Sequence, residues 1–167
     1  MSLDGQRLDS DRYAVIPRTL SFLLRQNEIL LIKLASDREG WSGRYNGIGG
    51  HVEIGEEPMS AARREVLEET GWETDQRLCG VVNIDTGGAL GIGLFIFVGE
   101  ASGDERLLSG SEGVPAWLPV DQLSDHDLVE DLGFLIPQAL KARSEKGIFF
   151  AAYSYDNDGK LQITLTE

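Results

Sequence analysis

GHVEIGEEPMSAARREVLEETGW, residues 50–72, joins a glycine-opened loop to a charged segment that ends at Gly71-Trp72. Pro58 suits the first position of a helix, where its missing N–H is not needed. Residues 61–70 hold no glycine or proline and are rich in good helix formers. Gly71 suits the left-handed position just past a helix end. The stretch therefore reads as a loop, a helix over about 57–70, and a stop.

On that helix Glu65, Glu68 and Glu69 are spaced i, i+3 and i+4, which places three carboxylates on one face. Like charges at this spacing repel by about 0.2–0.5 kcal/mol per pair. A hard divalent cation reverses the sign. Mg²⁺ takes oxygen ligands, is held by one or two carboxylates, and completes its shell with water and substrate phosphate. The plain alternative is a solvated charged helix face.

The full spacing distinguishes the two. Gly50, Glu56, Arg64, Glu65, Val66, Glu68, Glu69, Gly71 and Trp72 fill every fixed position of the pattern G-x5-E-x7-R-E-U-x-E-E-x-G-U, where U is a bulky apolar residue. Its seven strictly specified residues coincide by chance on the order of 10⁻⁸ per starting position at average residue usage. This is the Nudix box, and on it the chain resembles the Nudix hydrolases.

The chain has 167 residues, enough for one domain with its own core. No apolar run approaches the ~20 residues of a membrane span. The opening MSLDGQRLDSDR has no apolar signal core, and residues 1–17 are expected to form a leader outside the core. Cys79 is the single cysteine, so an internal disulfide is excluded and a cytoplasmic location is expected. The net charge of −13 argues against a nucleic-acid polymer as partner, since such a surface needs a basic face. A small polyphosphate remains compatible, provided cations bridge it to the protein.

Outward from the box, residues 19–24 (TLSFLL) and 28–34 (EILLIKL) read as strands joined by a turn at Arg25-Gln26-Asn27. Residues 36–47 are polar and glycine-rich, hence a loop leading into Ile48-Gly49-Gly50. Residues 78–85 and 90–99 read as strands about a Thr86-Gly87-Gly88 turn. The second is apolar on both faces, which suits a central strand. Residues 101–113 read as loop, and 116–118 as a short strand. Apolar residues at 128, 132, 135, 136, 139 and 140 give a helical rhythm, with Pro137 requiring either a start shortly before it or a kink. Residues 148–155 and 161–166 alternate like strands about an Asn157-Asp158-Gly159 turn. This order predicts a mixed β-sheet flanked by helices, as one domain. The Nudix α/β/α sandwich has the same form.

The resemblance implies hydrolysis of a nucleoside diphosphate linked to another group, with Mg²⁺ or Mn²⁺ as cofactor. It implies that Glu65 and Glu69 are the main metal ligands, joined by the backbone carbonyl of Gly49. Glu68 would ligate or act as base. Arg64 would hold the carboxylates in orientation, a use suited to its fork geometry. Glu56 would orient the loop or the arginine. Several relatives carry a glutamate at the position of Glu112 as a further ligand or base; an exposed loop acid is the alternative.

Beyond the box, RYNGIGGHVE (44–53), SEGVPAWLPVDQL (111–123) and EDLGFLIPQAL (130–140) resemble the oxidised purine nucleoside triphosphatases in order and spacing. That likeness implies that Asn46 and Asp131 read the purine base. The alternatives are a turn residue beside Gly47 and a helix N-cap, respectively. The chain departs from the subgroup at two positions: Leu132 follows Asp131 in place of a second aspartate, and Val129 stands where a stacking tryptophan is found. His51 and His126 have no ligand or nucleophile partner in the sequence and read as surface residues. Ser60 lies in the helix without a triad signature, which argues against serine chemistry.

The leading expectation is a Mg²⁺-dependent nucleoside triphosphate pyrophosphohydrolase, releasing monophosphate and pyrophosphate, with an oxidised purine such as 8-oxo-dGTP as the narrower form. A sugar-nucleotide or dinucleotide hydrolase is the alternative within enzymes. The markers of the ADP-ribose and diadenosine-polyphosphate members are missing, since Thr86, Gly87 and Gly88 occupy their positions. A non-catalytic nucleotide-binding module is the alternative outside enzymes, though such domains commonly lose box glutamates. Partners are confined to a small nucleotide, with no membrane and the oligomeric state open.

Overall fold

The computed structural model describes residues 12–36, 40–101 and 112–166. Among them eight strands form one mixed sheet: β1 (Ala14–Arg25), β2 (Glu28–Leu34), β3 (Tyr45–Asn46), β4 (Gln76–Ile84), β5 (Leu90–Glu100), β6 (Gly113–Pro119), β7 (Phe149–Tyr155) and β8 (Leu161–Thr166). The order is β3-β2-β1-β5-β4-β7-β8, with β6 added to β2. β1 runs parallel to β5, and β4 parallel to β7; the other pairs are antiparallel. Two helices, α1 (Pro58–Thr70) and α2 (Leu132–Ser144), complete an α/β/α sandwich. β5 is central, as its double-sided apolar pattern requires.

The core gathers Phe22, Leu23, Leu30 and Leu31 of the first hairpin with Ile96 and Val98 of β5 and Leu132, Leu135 and Ile136 of α2. The first hairpin turns as expected, with Arg25 opposite Glu28 and Gln26 at a positive φ of 55°. α1 begins where Glu57 caps it. The Glu57 carboxylate accepts from the backbone N–H of Met59 at 2.7 Å and Ser60 at 2.6 Å, and from the Ser60 hydroxyl at 2.6 Å. It ends at Gly71 (φ 79°), whose N–H donates to the Leu67 carbonyl.

Several boundaries differ from the sequence reading. Residues 14–17 are not leader: Ala14 to Pro17 pair with Leu90 to Gly93, because the largely exposed, apolar start of β1 has a long parallel neighbour to bond. Residues 1–11 of that leader, most of the 101–113 loop and part of the 36–47 loop lie outside the described residues. The second helix starts at Leu132 rather than near 128. Leu128 and Val129 are held extended against Tyr45, with Val129 N–H donating to the Tyr45 carbonyl at 2.9 Å. Pro137 sits inside α2, on its exposed side next to exposed Gly133. The carbonyl left unbonded one turn back can be solvated there. A six-residue 3-10 helix, Val120–Asp125, had no signal in the sequence.

Candidate active site

Gly49 is central to the site because the loop over residues 48–51 lies flat against β1. Ile48 and Ser21 exchange backbone hydrogen bonds at 2.6 and 3.1 Å, and Thr19 N–H donates to the Gly50 carbonyl at 2.9 Å. A Cβ on Gly49 would overlap the Thr19 carbonyl, and one on Gly50 would overlap the Glu65 carboxylate. Glycine at both positions therefore lets loop, strand and helix meet. Gly49 N–H points at Glu69 Oε1, 3.4 Å away, so Gly49 adjoins Glu69 while Gly50 adjoins Glu65.

Arg64 ties the carboxylates together. Its Nε and Nη2 donate to the two oxygens of Glu56 at 3.1 and 3.0 Å, a bidentate pair. Nη1 donates to Glu65 at 2.9 Å and Glu68 at 3.3 Å, and Nη2 also reaches the His51 carbonyl at 3.0 Å. The bond to Glu56 is the main reason the guanidinium is held more firmly protonated than usual. Glu56 in turn accepts from Glu53 N–H at 3.1 Å, so it orients both loop and arginine. Its carboxyl is held below the usual range, first by the Arg64 hydrogen bond.

The three helix glutamates are not equivalent. Glu69 is buried, Glu65 is half-buried, and the Glu68 side chain is 59% exposed. Burial pushes the Glu65 carboxyl up, opposed by Arg64 and reinforced by the negative charges of Glu68 and Glu112. Among the described residues, no three acidic, histidine or cysteine side chains converge closely enough to cage an ion unaided. The expected metal set of Gly49, Glu65, Glu68 and Glu69 is thus not assembled as a closed cage, and Arg64 engages two of its carboxylates. The donors are nevertheless all oxygens, with like charges crowded beside a backbone carbonyl. That chemistry fits a hard cation whose remaining ligands come from water and substrate phosphate. His51 is exposed, and His126 packs edge-on against Tyr45 with ring centroids 5.5 Å apart.

Beside Gly49 and Gly50 opens a cleft of about 380 Å³ that brings together Asn46 and Asp131. Val129 also lines it. Asn46 Oδ1 accepts from Gly47 N–H at 2.9 Å, so its carbonyl braces the turn while the residue faces the cleft. Asp131 occupies the N-cap position of α2 but makes no side-chain capping bond. Sequence reasoning missed Arg18, Trp41, Tyr153 and Tyr155, which also line the cleft. The alternation of β7 offered the only signal for the two tyrosines, since Tyr153 and Tyr155 share a strand face. A wider groove of about 1140 Å³ passes Arg63, Arg64, Arg77 and Arg143 but includes none of Asn46, Gly49 or Asp131. Three of its arginines are already ion-paired, Arg63 with Asp75, Arg64 with Glu56 and Arg143 with Glu100, so the smaller cleft is the candidate site.

Burial raises the Asp131 carboxyl, and the neighbouring Glu130 charge adds to the effect. Tyr153 and Tyr155, which line the same cleft, are themselves raised, chiefly by burial. A folded-state carboxyl raised above its unfolded value stabilises the fold at low pH and loses that contribution as pH rises through the folded value. Asp131→Asn should therefore melt above the wild type at pH 7, with the difference closing as pH falls toward the ordinary value of 3.8. Melting curves across this range check it; a mutant that melts lower at pH 7 contradicts it.

Comparison with known proteins adds to this geometry. The family model described as NUDIX domain matches residues 16–138. The chain is 30% identical over 161 residues to the oxidized purine nucleoside triphosphate hydrolase of Mus musculus, covering 89% of this chain and 93% of that protein. The Danio rerio protein of the same name is 29% identical over 143 residues, covering 78% and 83%. Among solved structures, a MutT protein from Bacillus halodurans superposes with a TM-score of 0.71 at 22% identity, covering 90% of this chain and 97% of that one. A UDP-X diphosphatase superposes with a TM-score of 0.67 at 18% identity, covering 89% and 70%.

Proposed function

The chain belongs to the Nudix family and is a Nudix pyrophosphohydrolase, and from that premise we propose that it hydrolyses a purine nucleoside triphosphate to the monophosphate and pyrophosphate. One observation carries this reading: Asn46 and Asp131, far apart in sequence, line one cleft that opens at Gly49 and Gly50 beside the carboxylate helix. The names of the two curated relatives point the same way, and an oxidised purine is the narrower form of the proposal.

In this reading Glu65, Glu69 and the Gly49 carbonyl hold a divalent cation, Mg²⁺ or Mn²⁺. When bound, the cation supplies charge neutralisation on the phosphate oxygens. The rest falls to the chain. Arg64 keeps Glu65 and Glu68 in place while Glu56 anchors Arg64. One carboxylate, Glu68 or Glu112, takes the proton of the attacking water, and the charges of both already bear on Glu65. Arg18, whose Nε is buried without a hydrogen-bond partner among the described residues, is a cation lining the cleft for a polyphosphate to meet. Asn46 offers an amide that can donate and accept together along a purine edge.

The test is kcat/KM for the eight common triphosphates and an 8-oxo-purine, in wild type and Asn46→Ala. Purines should be preferred, modestly, because Val129 gives no aromatic surface for stacking. Asn46→Ala should lower the purine values about 5- to 150-fold, for one buried polar contact of ~1–3 kcal/mol. Pyrimidines should lose less. Equal losses for every base would reduce Asn46 to its turn with Gly47, and a clear pyrimidine preference in the wild type would overturn the purine reading.

A further inference from the structure

The hydroxyl of Tyr153 is buried and has no hydrogen-bond partner among the described residues, although its side chain lines the cleft. The residue is only 2% exposed. β7 fixes its place: Tyr153 pairs with Ile84 on one side and Ile163 on the other, and its carbonyl accepts from Asp85 N–H. Phe134 of α2 meets its ring edge-on, with centroids 6.3 Å apart. The ring is thus held by backbone pairing and packing, with no contribution from the hydroxyl. A buried O–H without a partner is costly, and such groups in native proteins call for an explanation. Asp131 lies close enough for its charge to be felt at this hydroxyl, yet the two are not hydrogen-bonded to each other.

We propose that Tyr153 determines base specificity by donating its hydroxyl to a carbonyl oxygen on the purine edge, beside Asp131. The inference rests on the purine triphosphate reading and sharpens it to a base class. An ionised carboxylate only accepts, on two oxygens, while a tyrosine O–H donates. A 2-amino-6-oxopurine edge presents one carbonyl acceptor followed by two N–H donors, which satisfies both side chains together. An adenine edge presents one donor and one acceptor and leaves one carboxylate oxygen without a partner. The site is therefore built for guanine-type bases, the 8-oxidised form included, since that change leaves this edge intact.

The experiment compares wild type with Tyr153→Phe on two substrates. One is dGTP; the other is the triphosphate of 2-aminopurine deoxyriboside, which lacks the 6-carbonyl oxygen. Tyr153→Phe should lower kcat/KM for dGTP about five- to tenfold, the loss of one neutral hydrogen bond, and change the 2-aminopurine value by less than about twofold. Its melting temperature should match or exceed that of the wild type, because the hydroxyl it removes has no partner in the fold. Equal losses on both substrates, or no loss on dGTP, overturn the role of Tyr153. A lowered melting temperature with uniform losses assigns the hydroxyl a structural role and also overturns it. A wild type that turns over no nucleoside triphosphate at all defeats the broader reading, which separates the two failures.

Discussion

Glu69→Gln should keep the fold and lose nearly all turnover. Glu69 is buried on α1, and the Gly49 N–H points at one of its oxygens. Glutamine has the same shape and can still accept through its amide oxygen, so packing is preserved. The negative charge is lost, and with it several kcal/mol of charge stabilisation, which corresponds to about two to three orders of magnitude in kcat. A second readout separates metal binding from chemistry. Divalent cation that binds only the native state raises Tm by mass action, so millimolar Mg²⁺ should raise the melting temperature of the wild type over that in EDTA. The rise should shrink in Glu69→Gln. Near wild-type turnover at saturating Mg²⁺ would remove Glu69 from the metal site.

Gly49→Ala should damage both stability and activity. The added Cβ would lie 2.8 Å from the Thr19 carbonyl carbon and 3.0 Å from Leu20 Cα, and closer still to the Thr19 carbonyl oxygen. All three are backbone atoms of β1, so no side chain can swing aside. The loop must lift away, loosening the hydrogen bonds that seat Ile48 and Gly50 on β1. Overpacking of this kind costs about 1–3 kcal/mol, or roughly 2–12 °C in Tm for a chain of this size. A displacement of ~1 Å at a reacting centre is enough for a hundredfold loss of rate. Calorimetry and steady-state kinetics check both. A mutant with unchanged Tm and activity would mean that the loop is not seated against β1.

The box helix was legible almost to the residue because its signals are local: Pro58 at the start, Gly71 at the end, and helix formers between. β2 and β8 were legible for the same reason, each a short apolar or alternating run bounded by turn residues. What the sequence left obscure depends on partners far along the chain. Residues 14–17 became strand only because β5 runs beside them, and Leu128-Val129 left the helical rhythm because Tyr45 bonds their backbone. The candidate site divides in the same way. The box spacing named Glu65, Glu68, Glu69 and Arg64, but not that Glu68 turns outward to Arg64 while Glu69 turns inward. Asn46 and Asp131 were reached only through resemblance. Arg18 and Tyr153 had no motif to flag them, since an arginine in a strand or a tyrosine on an alternating face signals nothing until the cleft is built.

The two parallel pairings have a consequence for how the cleft comes into being. β1 bonds to β5 across nearly half the chain, and β4 to β7 over a similar distance. Non-local pairings of this kind close large loops before any contact rewards them, and they slow folding. The hairpin of β1 and β2 and the box helix can form early from local sequence. The cleft draws its walls from residues as far apart as Arg18 and Leu161, so it exists only once both crossovers have closed. A folding intermediate can therefore display the whole carboxylate helix and still have nowhere to put a base.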